Sequence, residues 1–385
     1  MTQFLPFHLP DIGEEEIDAV VSVLRSGWLT TGARAKQFEQ DFAAMLGARY
    51  AVAVNSCTAA LHLALEAIGI EEGDEVILPT MTFTATAEVV TYFKAKPVLV
   101  DCLPDTLNID PDQIERAITS KTKAIIPVHF AGHPCDMDRI SDIANRYGLR
   151  VIEDAAHALP ARYRGRLIGT ISDCTCFSFY ATKNITTGEG GMITTDNPEW
   201  AERIRTMSLH GLSRDAWKRY DGHGSWFYEV LSPGFKYNLT DIAAALGIAQ
   251  LHKSDRLWKT RERYAGLYDE GFRDLPEIVL PTAAAHVQHA WHLYVIRLDS
   301  ERSGIGRDRL IEHLGKEHIG CSVHFIPLHL HPYYRDTWGY TSEQFPVATA
   351  AYQQIVSLPL YPKMTETDIQ RVISVVRTLI QGSRR

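Results

Sequence analysis

From residue 50 onward, short uninterrupted apolar runs alternate with segments whose apolar residues recur at helical spacing. No other feature constrains the fold as strongly. YAVAVNS reads as a strand, and CTAALHLALEAIG after it places Leu61, Leu65 and Ile68 on one helical face. DEVILP, PVLVD, KAIIPVHF, RVIED, DCTCFSFY and GMITT read as further strands. A helix is predicted over 82–94 and another at DMDRISDIANRYG. The strands are continuously apolar, not alternating, as expected where helices cover both faces of a mainly parallel sheet.

The pattern changes near residue 240. DIAAALGIAQL and DRLWKTRERYAGLYDEGF predict two consecutive helices, and AWHLYVIRL, GRDRLIEHLGKEH, GCSVHF and TDIQRVISVVRTLI predict strand, helix, strand, helix. A chain of 385 residues exceeds what one core usually holds, so two domains are expected: a large one over 1–250 and a smaller α/β domain over 251–385. Two stretches read as long loops, DAWKRYDGHGSWFYEV and LHLHPYYRDTWGYTSEQFP. Loops of that length usually carry function or contact a second subunit.

Composition narrows the function classes. Lys and Arg number 39 against 47 Asp and Glu, a net charge of −8, which disfavours a broad nucleic-acid-binding surface. No apolar run reaches the roughly 18 residues of a membrane helix. MTQFLPFHLPDIGEEE lacks the basic start and apolar stretch of a secretory signal, so a cytoplasmic protein is expected. Six cysteines are too few for a disulfide framework, and Cys174 and Cys176, one residue apart, are read as strand core and not as metal ligands. No metal site is expected.

Several residues can carry chemistry. Asp154 falls at the carboxyl end of a strand, where open α/β sheets place ligands. Lys183 lies just past another strand in a turn rich in glycine and threonine, five residues after Ser178. Burial would lower its pKa and make it a Schiff-base nucleophile; taken alone, it reads more readily as a solvated surface lysine. NSCTAALHLAL is a strand, a small polar turn and a helix. Its first amides and the Thr58 hydroxyl suit a phosphate, or Ser56 and Thr58 merely cap the helix. Neither GxGxxG nor GxxxxGK[ST] occurs. Phe83 follows a strand and suits stacking on a flat ring, or the core. His157, three residues after Asp154, is a loop histidine with or without a catalytic task.

Taken together, VIEDAAHA and SFYATKNITTGEGGMITT strongly resemble the sugar aminotransferases of the DegT/StrS family, pyridoxal-phosphate (PLP) enzymes of the fold type I transferases. The resemblance continues through SGWLTTGARAKQFEQDF, GDEVILPTMTFTAT, IIPVHFAGHPCDM, GFKYNLTDIAAALGIAQL and SLPLYPKMTETDI, nearly the whole chain in order. It implies that Lys183 holds PLP covalently and that Asp154 pairs with the pyridine nitrogen. It places His157 near the phenolic oxygen and Phe83 on the ring. It assigns the phosphate to Thr58, the Cys57 and Ala59 amides, Ser178 and Asn238 of a partner subunit. Thr31, His329 and His331 are implied substrate contacts, or else simply pack at a subunit interface.

The implied activity is transfer of the amino group of L-glutamate to a nucleotide-linked keto sugar, by a homodimer with shared active sites. FLPFHLP, SGWLTTG, FKYNLTD and SLPLYP look most like UDP-4-amino-4-deoxy-L-arabinose aminotransferases, which favours a 4-keto sugar. Cys57 stands where many relatives have glycine or alanine. A branch of the family that became sugar dehydratases has histidine in place of the lysine, and Lys183 argues against it. A sugar dehydratase, a cyclitol aminotransferase and a PLP-binding regulator without turnover stand as alternatives, and a 3-keto sugar stands beside the 4-keto one.

Overall fold

The computed structural model describes residues 3–213 and 227–383, so the stretch DAWKRYDGHGSWFYEV lies outside the described residues up to 226. The strands are β1 (Tyr50–Val54), β2 (Glu75–Pro79), β3 (Lys96–Val100), β4 (Thr122–Ile125), β5 (Arg150–Asp154), β6 (Arg162–Tyr163) and β7 (Arg166–Leu167). They continue with β8 (Cys174–Ser178), β9 (Gly191–Thr195), β10 (Ile278–Val279), β11 (Val287–Gln288), β12 (Tyr294–Leu298) and β13 (Ile355–Leu358).

The central sheet has seven strands in the order β1-β9-β8-β5-β4-β2-β3. All pairs are parallel except those of β9, which runs antiparallel to β1 and β8. Helices cover both faces, which is why the strands carry almost no exposed position. The helix Cys57–Ile68 buries Leu61, Leu63 and Leu65 against one face, and Phe38 and Phe42 of the helix Ala33–Leu46 pack with Phe177 and Phe179 on the other. Cys174 and Cys176 are fully buried in β8, the core role expected of them.

A second sheet, β10-β12-β13, packs against the helices Ser254–Phe272, Arg307–Lys316 and Glu366–Ser383 in a core of its own. That core takes in Leu5 from the chain's start, while Tyr334, Phe345 and Ala348 return to the core of the larger body. GCSVHF does not form the expected strand. Only Ser322 makes a bridge, to Ser357, and the place beside β12 is taken by β13. LHLHPYYRDTWGYTSEQFP is not a loop either: it holds the helix Pro332–Trp338 and leads into the helix Pro346–Gln354. The helix expected over 82–94 is shorter, Ala85–Thr91.

One distant contact joins two of the sequence motifs. The helix Ala33–Leu46 begins at Gly32, which has no side chain to cap it. Asp241 supplies the cap from another helix: its Oδ1 accepts from the N–H of Gly32 at 2.7 Å and of Ala35 at 2.9 Å, and its Oδ2 from Arg34 at 3.2 Å. A Cβ at position 32 would lie 2.2 Å from the Trp28 indole nitrogen, so only glycine lets the chain pass. Asp241 is buried, and its loss leaves three amides of the helix start without this acceptor, that of Ala35 buried. Asp241→Ala is expected to cost about 3 kcal/mol, the sum of a lost cap and an unsatisfied buried donor. Melting temperatures of the variant and parent, measured without ligand, check this; equal values refute it.

Candidate active site

A cavity of about 500 Å³ opens at the carboxyl ends of β5 and β8 and the start of the helix Cys57–Ile68. Cys57, Thr58, Phe83, Asp154, His157, Ser178 and Lys183 all line it, so seven of the expected site residues come together from distant parts of the chain.

At one end stands the turn NSCT. Ser56 is the N-cap of the helix, and its Oγ accepts from the Ala59 N–H at 3.0 Å. That satisfies the Ala59 amide inside the chain and corrects its expected part in anion binding; Ala59 does not line the cavity. The Cys57 and Thr58 amides belong to the first helical turn, where no carbonyl of the helix can reach them. Together with the positive helix end they suit an anion. Gly191 makes the close approach of β9 possible: a Cβ there would stand 2.5 Å from the Ser56 carbonyl.

At the other end is Asp154, buried at the tip of β5. Its Oδ2 accepts from the Thr86 hydroxyl at 2.8 Å and its Oδ1 from the Ala156 N–H at 3.1 Å. Burial pushes its carboxyl up from the usual range, and the Thr86 hydrogen bond is foremost among the opposing influences. His157, also buried, has an Nδ1 with no hydrogen-bond partner, and burial holds its ring well below the ordinary histidine range. The ring lies 4.3 Å from that of His292 and stacks on Phe325 at 5.8 Å.

Lys183 sits between the two ends. Its N–H donates to the Tyr180 carbonyl at 2.9 Å, closing the turn that aims the side chain inward. Burial lowers its pKa to about 8, with Cys57 and Asp154 opposing. The amine is therefore largely unprotonated above pH 8, where a surface lysine still carries its proton. Competitive acetylation of the cofactor-free protein, mapped by mass spectrometry across pH, is expected to give Lys183 a midpoint near 8 and surface lysines one near 10.4. A Lys183 midpoint with the others refutes the desolvated environment.

The remaining expected residues lie elsewhere. Asn238 and Thr31 do not line this cavity but meet each other: Asn238 Nδ2 donates to Thr31 Oγ1 at 2.6 Å, and Thr31 donates on to the Leu239 carbonyl. His329 is 1% exposed. Its ring nitrogens bond Thr80 Oγ1 at 2.8 Å and Thr349 Oγ1 at 3.0 Å, and the ring stacks on Phe345. It is a satisfied core histidine, which corrects the expectation that it contacts substrate. His331 is the residue before the helix Pro332–Trp338, outside the cavity wall. Sequence reasoning missed Phe7, His8, His292, His324 and Phe325, all of which line the cavity. FLPFHLP reaches it because Leu5 pairs with Ile319 and so carries the chain's start across the small sheet's side. No local signal marks such a long-range arrival.

Comparison with known proteins decides the family. The model of the DegT/DnrJ/EryC1/StrS aminotransferase family matches residues 10–377. The chain belongs to this family. It is 52% identical over 381 residues to the spore coat polysaccharide biosynthesis protein SpsC of Bacillus subtilis, covering 99% of this chain and 98% of the other. Spr1654 of Streptococcus pneumoniae, solved in its PLP form, superposes with a TM-score of 0.92 at 36% identity, over 99% of this chain and all of that one. Helicobacter pylori PseC, an aminotransferase involved in the biosynthesis of pseudoaminic acid, gives 0.92 at 28% identity, over 99% of this chain and all of that one. The chain is a PLP-dependent aminotransferase of a sugar aminotransferase family, with the fold that the sequence led one to expect.

The cavity's residues fit that cofactor. The unused helix-end amides suit its phosphate, the buried carboxylate its ring nitrogen, the unpartnered His157 a polar ring substituent, and Lys183 its aldehyde. Among the described residues, no cluster of three or more His, Cys, Asp or Glu is placed to hold a metal, and no helix is long and apolar enough to cross a membrane.

Proposed function

We propose that this enzyme moves the amino group of L-glutamate to a nucleotide-linked keto sugar, at C4, to make an amino sugar for a polysaccharide, lipopolysaccharide or glycosylated metabolite. The observation that carries the reading is the pairing, in one cavity, of a half-buried lysine with its pKa lowered to about 8 and a buried carboxylate. PLP supplies an electron sink for the carbanion formed at the amino-bearing carbon.

This chain's residues do the rest. Lys183 would hold the cofactor and, once freed by the donor amine, its neutral amine would take up the proton of the donor's α-carbon and give it back later in the half-reaction. Such acid–base work is typically worth 10²–10⁴-fold. Asp154 keeps a proton on the ring nitrogen by charge attraction. Phe83 would stack on the ring, and His157 would hold its phenolic oxygen. The Cys57 and Thr58 amides, the Thr58 hydroxyl and Ser178 would hold the phosphate. In the acceptor half-reaction the same proton path runs in reverse. We further propose a cytoplasmic homodimer in which Asn238 reaches the phosphate held by the other subunit. Asn238 lies outside its own subunit's cavity, half-buried, with its side chain bonded to Thr31.

Two experiments test this. Incubation with glutamate and a panel of nucleotide-linked keto sugars, read by mass spectrometry, is expected to give 2-oxoglutarate and an amino sugar from a 4-keto substrate. Amination of a free cyclitol ketone alone, or a dehydrated sugar, contradicts the reading. Mixed dimers of Lys183→Ala and Asn238→Ala subunits test the shared site. One site then carries both changes and the other neither, so activity is expected to recover to as much as half the wild-type sites. No recovery in confirmed mixed dimers, when each variant alone is impaired, shows that Asn238 does not act across subunits.

A further inference from the structure

We propose that Thr86 is a positioning residue that keeps Asp154 ionised and so sets how strongly the cofactor's ring draws electrons. The proposal rests on Asp154 being the ring nitrogen's partner, as above.

Packing alone gives no reason for a threonine at this position. Thr86 is fully buried in the helix Ala85–Thr91, beside Ala87, Val89 and Val90. Valine has the same shape and would avoid placing a hydroxyl in the core, which is costly unless that hydroxyl is bonded. The Thr86 Oγ1 has two partners: Asp154 Oδ2 at 2.8 Å and Thr82 Oγ1 at 2.7 Å. An ionised carboxylate only accepts, so Thr86 must donate to Asp154. Its own oxygen is then left to accept, and Thr82 must donate to it. The two hydroxyls form a chain polarised toward the carboxylate, each bond strengthening the next. Thr82 reaches the cavity wall, whereas Thr86 acts only through Asp154.

The four threonines of PTMTFTAT divide by position. Thr80 and Thr84 bond His329 and Tyr334, which fastens the 328–334 segment to the sheet. Thr82 and Thr86 turn to Asp154, and Phe83 between them faces the cavity. The unwound start at 82–84 therefore has a use: a helix beginning at Thr82, as the sequence suggested, would redirect these side chains.

The consequence is a change in where one proton resides. Asp154 and the ring nitrogen share it as a carboxylate facing a protonated ring or as a carboxylic acid facing a neutral ring. Burial favours the neutral pair, and the Thr86 hydrogen bond favours the charged one. Without that bond the proton moves from nitrogen toward Asp154 Oδ and the electron sink weakens.

The test is ¹⁵N NMR of holoenzyme reconstituted with PLP labelled at the ring nitrogen, alongside single-turnover rates with glutamate. Thr86→Val is expected to move the ring-nitrogen resonance toward that of unprotonated pyridine and to slow the glutamate half-reaction roughly tenfold, about 1.4 kcal/mol. Thr86→Ser retains the donor and is expected to stay at the wild-type resonance. Thr86→Ala is measured in parallel, so that a packing fault in one variant does not decide the outcome. Asp154→Asn is expected to move the resonance furthest. Valine and alanine variants at the wild-type resonance, with Asp154→Asn displaced, overturn the role of Thr86. An Asp154→Asn resonance at the wild-type value overturns the assignment of Asp154 itself.

Discussion

Lys183→Ala is expected to abolish transamination while leaving a folded protein. The substitution removes both the covalent hold on the cofactor and the group that moves the proton. The second loss alone is typically worth 10²–10⁴-fold, and no other amine among the described residues lines the cavity to replace it. Folding is not at stake, because Lys183 sits in a turn whose backbone bond to Tyr180 does not need the side chain, and removing a desolvated amine relieves burial. Arginine cannot rescue the variant, since its guanidinium stays protonated and is no nucleophile. The check is a glutamate half-reaction at saturating PLP, with circular dichroism for the fold. Normal turnover would end the assignment.

Asp154→Asn is expected to slow the proton-abstraction step by roughly 10²–10³-fold. It keeps the shape but removes the charge facing the ring nitrogen. Losing one member of a buried charge pair costs about 3–5 kcal/mol, and each 1.4 kcal/mol is a factor of ten. An asparagine cannot accept at both positions. Once its oxygen takes the Ala156 N–H, its amide faces the Thr86 hydroxyl, which must turn round and stop donating. Retention of PLP should suffer less, because the phosphate contacts are at the other end of the cavity. An unchanged single-turnover rate with glutamate would show that Asp154 does not serve the ring.

Particular residues show what the sequence could and could not reveal. The strands of the central sheet were legible because each is a continuous apolar run closed by polar residues, and that pattern survives any tertiary arrangement. Asp154 was noticed because it ends such a strand, and Lys183 because it lies in the glycine- and threonine-rich turn after another, but only the long motifs around them implied their roles. GCSVHF was not legible, because its apolar run reads as a strand locally, while the place beside β12 is taken by β13, a pairing decided by packing far from that run. The 328–346 stretch, read as a loop, contains Pro332 and Pro346. Each in fact occupies the first turn of a helix, where the missing N–H costs nothing. His329 was misassigned for a related reason: with the stretch read as an open loop, nothing suggested that Thr80 and Thr349 would enclose its ring. Histidines arriving from the small sheet's side, His292 and His324, could not be found by local pattern, since their place in the cavity depends on the two cores docking.

The account's central claim is that Lys183 holds the cofactor in this cavity. Borohydride reduction of the purified holoenzyme makes a lysine–PLP linkage permanent, and proteolysis with mass spectrometry locates it. The account expects one phosphopyridoxyl group per chain, on the peptide carrying ATKNITTGEGG, with Lys183 as the modified residue and no label in Lys183→Ala. A label on any other lysine, at full occupancy and with activity lost in step, would contradict it.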